Sequence, residues 1–107
     1  MPPVDILAYR EESHVTVEVN GVIDAMDHEA VSCALRSHVE TCEESELVVR
    51  LHDSIVTTAA LRTLCETYAA ARARGIALRV VVPPIAVRIF HMAGVEFLLA
   101  PEAYRGR

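Results

Sequence analysis

The amino-acid sequence predicts an α/β fold: a mixed, mostly parallel sheet of four or five strands, with crossover helices and one antiparallel edge strand. Two patterns carry that expectation. Apolar residues alternate at every second position in "VTVEV", 15–19, and recur at three- and four-residue steps in "AVSCALRSHVETC", 30–42. The first is the period of a half-buried strand and the second that of an amphipathic helix. Strand and helix patterns then alternate in the order β-β-α-β-α-β-α-β, which requires crossovers and therefore parallel neighbours.

The first two strands lie in "VDILAYREESHVTVEVNGVID", joined by a polar turn, so the first should run antiparallel at an edge. "NG" at 20–21 often turns a hairpin, but the next segment is helical, and the pair is expected to mark a bend. "DAMDHEAVSCALRSHVETC" gives the first helix, about 27–42, with Val31, Ala34, Leu35, Val39 and Cys42 on one face. Asp27 is the expected N-cap, and Asp24 could also serve. A buried strand runs from about Glu46 to Leu51.

The second helix is expected at about 57–74, with Leu61, Leu64, Cys65 and Tyr68 inward and Arg62, Glu66, Arg72 and Arg74 toward water. Gly75 after basic residues is a stop signal. "IALRVVV" is a strand whose apolar run suits a central place in a parallel sheet. Pro84 opens a third helix, about 84–93, ending at Gly94. "VEFLLA" is expected as a last short strand, and the tail "PEAYRGR" as at most a frayed helical turn.

Composition bounds the function. The 107 residues fit one domain, 1–107. At 52% hydrophobic and 23% charged the chain can build a core, and with 5% aromatics and no Trp that core must be aliphatic. A net charge of −5, with "ARARG" as the one basic cluster, argues against a nucleic-acid partner. The start "MPPVDILAYREE" lacks a secretory pattern, and the longest apolar run, "IALRVVVPPIAVRIF", is broken by Arg79, two prolines and Arg88; no direct membrane insertion is expected. Cys33, Cys42 and Cys65 are odd in number and widely spaced, which fits free thiols in a reducing cytoplasm.

No catalytic or metal chemistry is legible. His14, His28, His38, His52 and His91 show no HxxxH spacing, and there is no CxxC pair. A Gly-rich phosphate loop and a nucleophile elbow are both absent from the sequence. The expectation is a non-enzymatic protein with no metal and no cofactor. What stands out is "SIVTTAALRTLCETYAAA", 54–71, where Thr57 and Thr58 precede an apolar helical run. A threonine hydroxyl caps a helix by accepting a backbone N–H of the first turn, and one is enough. The other is either a β-branched residue leading into the helix or a site of modification. Ser54 beside Asp53 is an alternative acceptor, though Asp-Ser favours a turn.

Three stretches resemble the STAS domain, the family of the bacterial anti-sigma factor antagonists. "VVVPPIAVRIFHMAGV" is similar to its strand and Pro-led helix, through Pro84, Arg88, Ile89 and Gly94-Val95. "VNGVIDAMDHEAV" resembles its bend before the first helix, through Gly21, Ile23 and Asp24. "VTTAAL" is similar to its motif at the start of the second helix. With the element order, the resemblance runs from about Val4 to Ala100. It implies a phosphoacceptor at Thr58, with Thr57 as the cap or a second acceptor. Two positions depart from the motif: Thr57 replaces an acidic residue, and Ala60 replaces a glycine, adding a methyl group where a partner's backbone could approach. A helix N-terminus suits a phosphate dianion because its N–H groups are free. The resemblance further implies a partner-binding surface of Gly21, Asp24, Thr57, Thr58 and Leu61, and as partner an anti-sigma factor that is a serine-protein kinase. Other members of the family would imply an ABC-type ATPase of a lipid transport complex, or a ligand-sensing or scaffold role without phosphorylation.

Overall fold

In the computed structural model, residues 4–100 are described, and the tail "PEAYRGR" lies outside them. Strands β1 (Asp5–Glu11), β2 (His14–Asn20), β3 (Glu46–Leu51) and β4 (Ala77–Val81) form one sheet in the order β1-β2-β3-β4. β1 and β2 are an antiparallel hairpin closed by a two-residue turn, with Glu11 opposite His14. Its first turn residue, Glu12, has φ 30°, a conformation in which a side chain is strained. The pairs β2–β3 and β3–β4 are parallel, with Val17 beside Val49 and Val49 beside Val80. Helix α1 (His28–Thr41) connects β2 to β3, and α2 (Thr58–Ala73) connects β3 to β4.

The alternation in the strands explains the layering. Leu47, Val49 and Leu51 are buried, while Glu46, Val48 and Arg50 between them are half-buried. One sheet face therefore carries the core. The inner residues Val17, Val19, Leu47, Val49, Leu78 and Val80 pack with Val31, Leu35 and Val39 of α1 and with Leu64 of α2. The other face carries polar pairs beside Leu7 and Val48: Arg79 pairs with Glu46, the Tyr9 hydroxyl donates to Glu18, and Thr16 Oγ1 donates to Glu11 Oε1 at 2.8 Å.

The inward face of α2 differs in part from the sequence pattern. Leu64 is buried as expected, but Leu61, Cys65 and Tyr68 are only half-buried. The fully buried positions include Ala60, Thr63, Thr67 and Ala71. Thr67 is satisfied by donating to the Thr63 carbonyl at 2.8 Å, and Thr63 Oγ1 bonds to His28 Nδ1 of α1 at 2.9 Å. Beside them Ser32 Oγ of α1 donates to Glu66 Oε1 at 3.0 Å, so polar bonds cross the α1–α2 seam at two points. The thiols are free: Cys33 is exposed, Cys42 buried and Cys65 intermediate. Burial, with the neighbouring Glu66 carboxylate, pushes the Cys65 thiol up and makes it a poorer nucleophile.

After β4 the third helix is shorter than its pattern. Pro84–Ala86 form a 3-10 turn with Pro84 in its first positions, and α3 (Val87–Met92) continues it. Gly94, at φ 73°, closes α3: its N–H reaches His91 O at 3.1 Å, and Val95 N–H reaches Phe90 O at 3.0 Å. This is the left-handed helix end that glycine favours.

"VEFLLA" corrects the expectation of a fifth strand. Glu96–Leu98 is another 3-10 turn, and only Leu99 pairs with Val80, in a single parallel bridge. Leu98 and Leu99 are both buried although adjacent. The 3-10 turn instead sets Phe97 edge-on against Tyr68, with ring centroids 5.1 Å apart. β4 is consequently an edge strand, not a central one, and its outer residues Ala77 and Arg79 are exposed.

Phe90 is fully buried and anchors α3 to the core. Phe90→Ala should cost about 3–5 kcal/mol, the usual range for emptying a large aromatic site. Urea unfolding of the two proteins measures this directly; a loss of less than about 1 kcal/mol would mean that α3 contributes little to the core.

Candidate functional site

Because β2, β3 and β4 are parallel neighbours, the loops that come after them leave from the same end of the sheet. Each loop has a local reason for its shape. After β2, Gly21 takes φ 110°, a backbone turn closed to most side chains, and Ile23 drops into the core at 2% exposure. Asp24 then organises the entry to α1. Its Oδ1 accepts the N–H of Met26 at 2.9 Å and of Asp27 at 3.1 Å, and Asp27 Oδ2 faces the Asp24 N–H at 3.5 Å. This reciprocal arrangement is that of a capping box. Asp27 is the residue immediately before α1, but its side chain makes no cap bond there. The side-chain capping is done by Asp24, three residues earlier, around the turn 25–27.

After β3, the His52 N–H reaches Val19 O at 3.1 Å and carries the parallel pairing one residue further. His52 Nε2 lies 2.9 Å from Glu18 Oε1. Glu18 also accepts from Tyr9, and these two bonds, that from Tyr9 being the stronger, hold its carboxyl below its ordinary range. The Tyr9 hydroxyl is correspondingly raised, chiefly by the same bond. Asp53 Oδ1 accepts the Ile55 N–H at 3.0 Å, the expected turn role for Asp-Ser.

The chain then reaches the two threonines. Thr57 is extended, at φ −88° and ψ 166°, and is the N-cap of α2. Its Oγ1 accepts the Ala60 N–H at 3.0 Å and donates to the Ile23 carbonyl of the preceding loop. Both functions of the hydroxyl are used, and the two loops are tied through it. Thr58 is the first helical residue and is exposed; no partner for its hydroxyl occurs among the described residues.

Of the residues expected to form the partner surface, Gly21 and Asp24 lie in the first loop, and Thr57, Thr58 and Leu61 at the start of α2, all at this one end. They are not equally accessible: Thr58 is exposed, whereas Gly21, Asp24, Thr57 and Leu61 are intermediate. Ala60 is only 2% exposed, so its methyl group lies in the core and not on the surface where a partner's backbone could meet it. Three apolar residues that sequence reasoning missed stand out at the same end. Met26 (92% exposed) and Ile55 (63%) occupy the loops after β2 and β3, and Ile85 (77%) the 3-10 turn after β4. For Met26 and Ile55 the signal is present in the sequence, since each is an apolar residue in a loop and outside every periodic pattern; Ile85 is hidden because it falls in the expected third helix, and the structure sets it in the 3-10 turn that opens that helix. Among the described residues no three His, Cys, Asp or Glu side chains gather as a metal set, and no helix is long and apolar enough to cross a membrane.

With its four-stranded mixed sheet, its crossover helices and the capped start of α2, the chain belongs to the STAS domain family, whose description matches residues 5–104. Two solved structures share the fold. One is an anti-sigma factor antagonist from Mycobacterium paratuberculosis, 23% identical, with a TM-score of 0.79 over 95% of this chain and 92% of that one. The other is the anti-sigma factor antagonist SpoIIAA in its unphosphorylated form, 11% identical, with a TM-score of 0.71 over 90% of this chain and 86% of that one. No curated protein matches the chain at a significant level.

The geometry sets two measurable outcomes. Thr57→Ala removes a cap and orphans the Ile23 carbonyl, and should cost about 0.5–2 kcal/mol from the cap alone; Thr57→Ser keeps both bonds and should recover most of that in denaturant unfolding. A lowered Glu18 stabilises the fold above its unfolded-state pKa, and this contribution is lost as pH falls through the folded value. Glu18→Gln should therefore flatten the acid limb of stability against pH; an unaltered limb would show that the Tyr9 and His52 bonds do not matter in solution.

Proposed function

We propose that the chain works by binding a protein partner at the end of the sheet that carries Thr58, as an anti-sigma factor antagonist, and that phosphorylation of Thr58 ends the complex. The observation that carries this reading is the contrast between the neighbouring threonines. Thr57 commits its hydroxyl to the cap and to Ile23, whereas Thr58 offers an exposed hydroxyl in the first turn of a 16-residue helix. At the same end of the sheet, Met26, Ile55 and Ile85 supply exposed apolar surface from the segments after β2, β3 and β4, which suits a desolvated protein contact. The family and the fold neighbours support the choice of an anti-sigma factor of the kinase type as partner.

In the transfer step, Thr58 Oγ attacks the γ-phosphorus of ATP held by the partner. The new O–P bond forms as the bond from phosphorus to the β,γ-bridging oxygen breaks, ADP leaves, and the hydroxyl proton passes to a base on the partner. The product carries roughly −1.5 to −2 added charge in the middle of an apolar contact, and its desolvation opposes rebinding.

Incubation with the kinase-type anti-sigma factor of its own cell and ATP should add one phosphate, at Thr58. Thr58→Ala should abolish it. Thr58→Glu should weaken the complex less than phosphorylation does, because a carboxylate carries less charge, and Ile55→Asp should weaken it without touching the acceptor. Binding titrations report all of these. If the anti-sigma factor binds none of the forms, the reading fails, and copurification with an ABC-type ATPase would put the transport role in its place.

A further inference from the structure

We propose that Arg62 is the counter-ion for a phosphate on Thr58, exchanging its present partner Glu66 for it. Thr58, Arg62 and Glu66 succeed one another at intervals of four on α2, so their side chains share one face of the helix. Arg62 now lies with Nε 3.7 Å from Glu66 Oε2, at the loose end of ion-pair distances, and its side chain is 73% exposed. Such a pair is weakly held. A phosphate one turn toward the N-terminus offers the guanidinium more charge and three acceptor oxygens at the same helical spacing.

Glu66 does not depend on Arg62 for its partners. Its Oε1 accepts from Ser32 Oγ at 3.0 Å and faces His28 Nε2 at 3.5 Å, both on α1. When Arg62 turns away, Glu66 keeps those two partners and is not orphaned. His28 is itself fixed through Nδ1 to the buried Thr63, with Glu29 and Arg36 lining the same groove. Arg62 can thus change partners without disturbing the helix seam. The exchange puts the positive charge beside the phosphate, so the modified helix start is held in place and not frayed.

The inference rests on Thr58 as the modified residue, and its test does not depend on any kinase. Phosphothreonine is incorporated at position 58 during synthesis, and its second ionisation is followed by phosphorus NMR as pH is varied. A guanidinium beside the phosphate favours the dianion, so Arg62→Gln should move that ionisation up by a few tenths of a unit, the size an exposed pair one turn apart gives. Removing the competitor with Glu66→Gln should move it down, and should do so only while Arg62 is present. An unchanged titration in Arg62→Gln overturns the proposal. So does a Glu66→Gln shift that is equally large in the double variant, because it would then be the direct field of Glu66 and not competition for Arg62. A negative result speaks against Arg62 alone; absence of phosphate after kinase treatment of the natural chain speaks against the acceptor.

Discussion

The Thr57 hydroxyl ties together the end of the sheet from which the loops after β2 and β3 leave. It caps α2 through the Ala60 N–H and bonds to the Ile23 carbonyl, a group that would otherwise sit unsatisfied beside a buried side chain. An unpaired buried carbonyl costs about 1–3 kcal/mol, so the bond is not decoration. It works because β2 and β3 are parallel and in register through Val19 and Leu51, and because the His52 N–H extends that pairing by one residue. The two chains leave the sheet side by side, and one short side chain spans the gap between them. Fixing Thr57 as the cap also fixes the residues after it: Thr58 becomes the first helical residue with its side chain outward, and Ala60 the residue whose methyl enters the core.

The rest of the fold protects that arrangement from both sides. Below it, an aliphatic core of valines and leucines joins one sheet face to α1 and α2. At the helix seam, Ser32–Glu66 and His28–Thr63 set the relative register of the two helices with directional bonds, which apolar packing alone does less well. On the opposite sheet face, the cross-strand contacts of Glu46 with Arg79 and of Glu18 with Tyr9 and His52 keep a solvated surface ordered. Thr57 itself carries no charge at that position; its contribution there is the cap and the link between the two loops.

Most of the architecture is legible in the sequence because strong periodicities map onto single faces. The alternation is kept at Val17 and Val19, though Val15 is half-buried and Thr16 is buried as well, and the steps through Val31, Leu35 and Val39 and the strand Glu46–Leu51 survive in the structure. The differences have distinct physical causes. "VEFLLA" has strand-like composition, but the left-handed turn at Gly94 sends it into a 3-10 turn that buries Leu98 and Leu99 together. The apolar run of β4 suits a central strand, yet with the next segment reduced to one bridge it lies at the edge. The polarity of Thr63 and Thr67 hides their place on the buried face, although with Ala60, Leu64 and Ala71 they keep helical spacing. At the candidate site, the capping role of Thr57 can be read locally. Its bond to Ile23 cannot, since that contact joins residues 34 apart in sequence and exists only once the parallel sheet has formed.

Met26 has a consequence for how the protein ages. At 92% exposure its thioether meets dissolved oxidants freely, on the same end as Thr58. Conversion to the sulfoxide replaces an apolar, flexible tip with a polar, chiral one and leaves the core untouched. Material stored in air would keep its fold and its melting behaviour while its loop surface drifted chemically. The drift shows as the mass of one added oxygen in the peptide containing Met26, and it is reversed by methionine sulfoxide reductases. Freshness of the preparation is thus a variable of this surface, separate from folding.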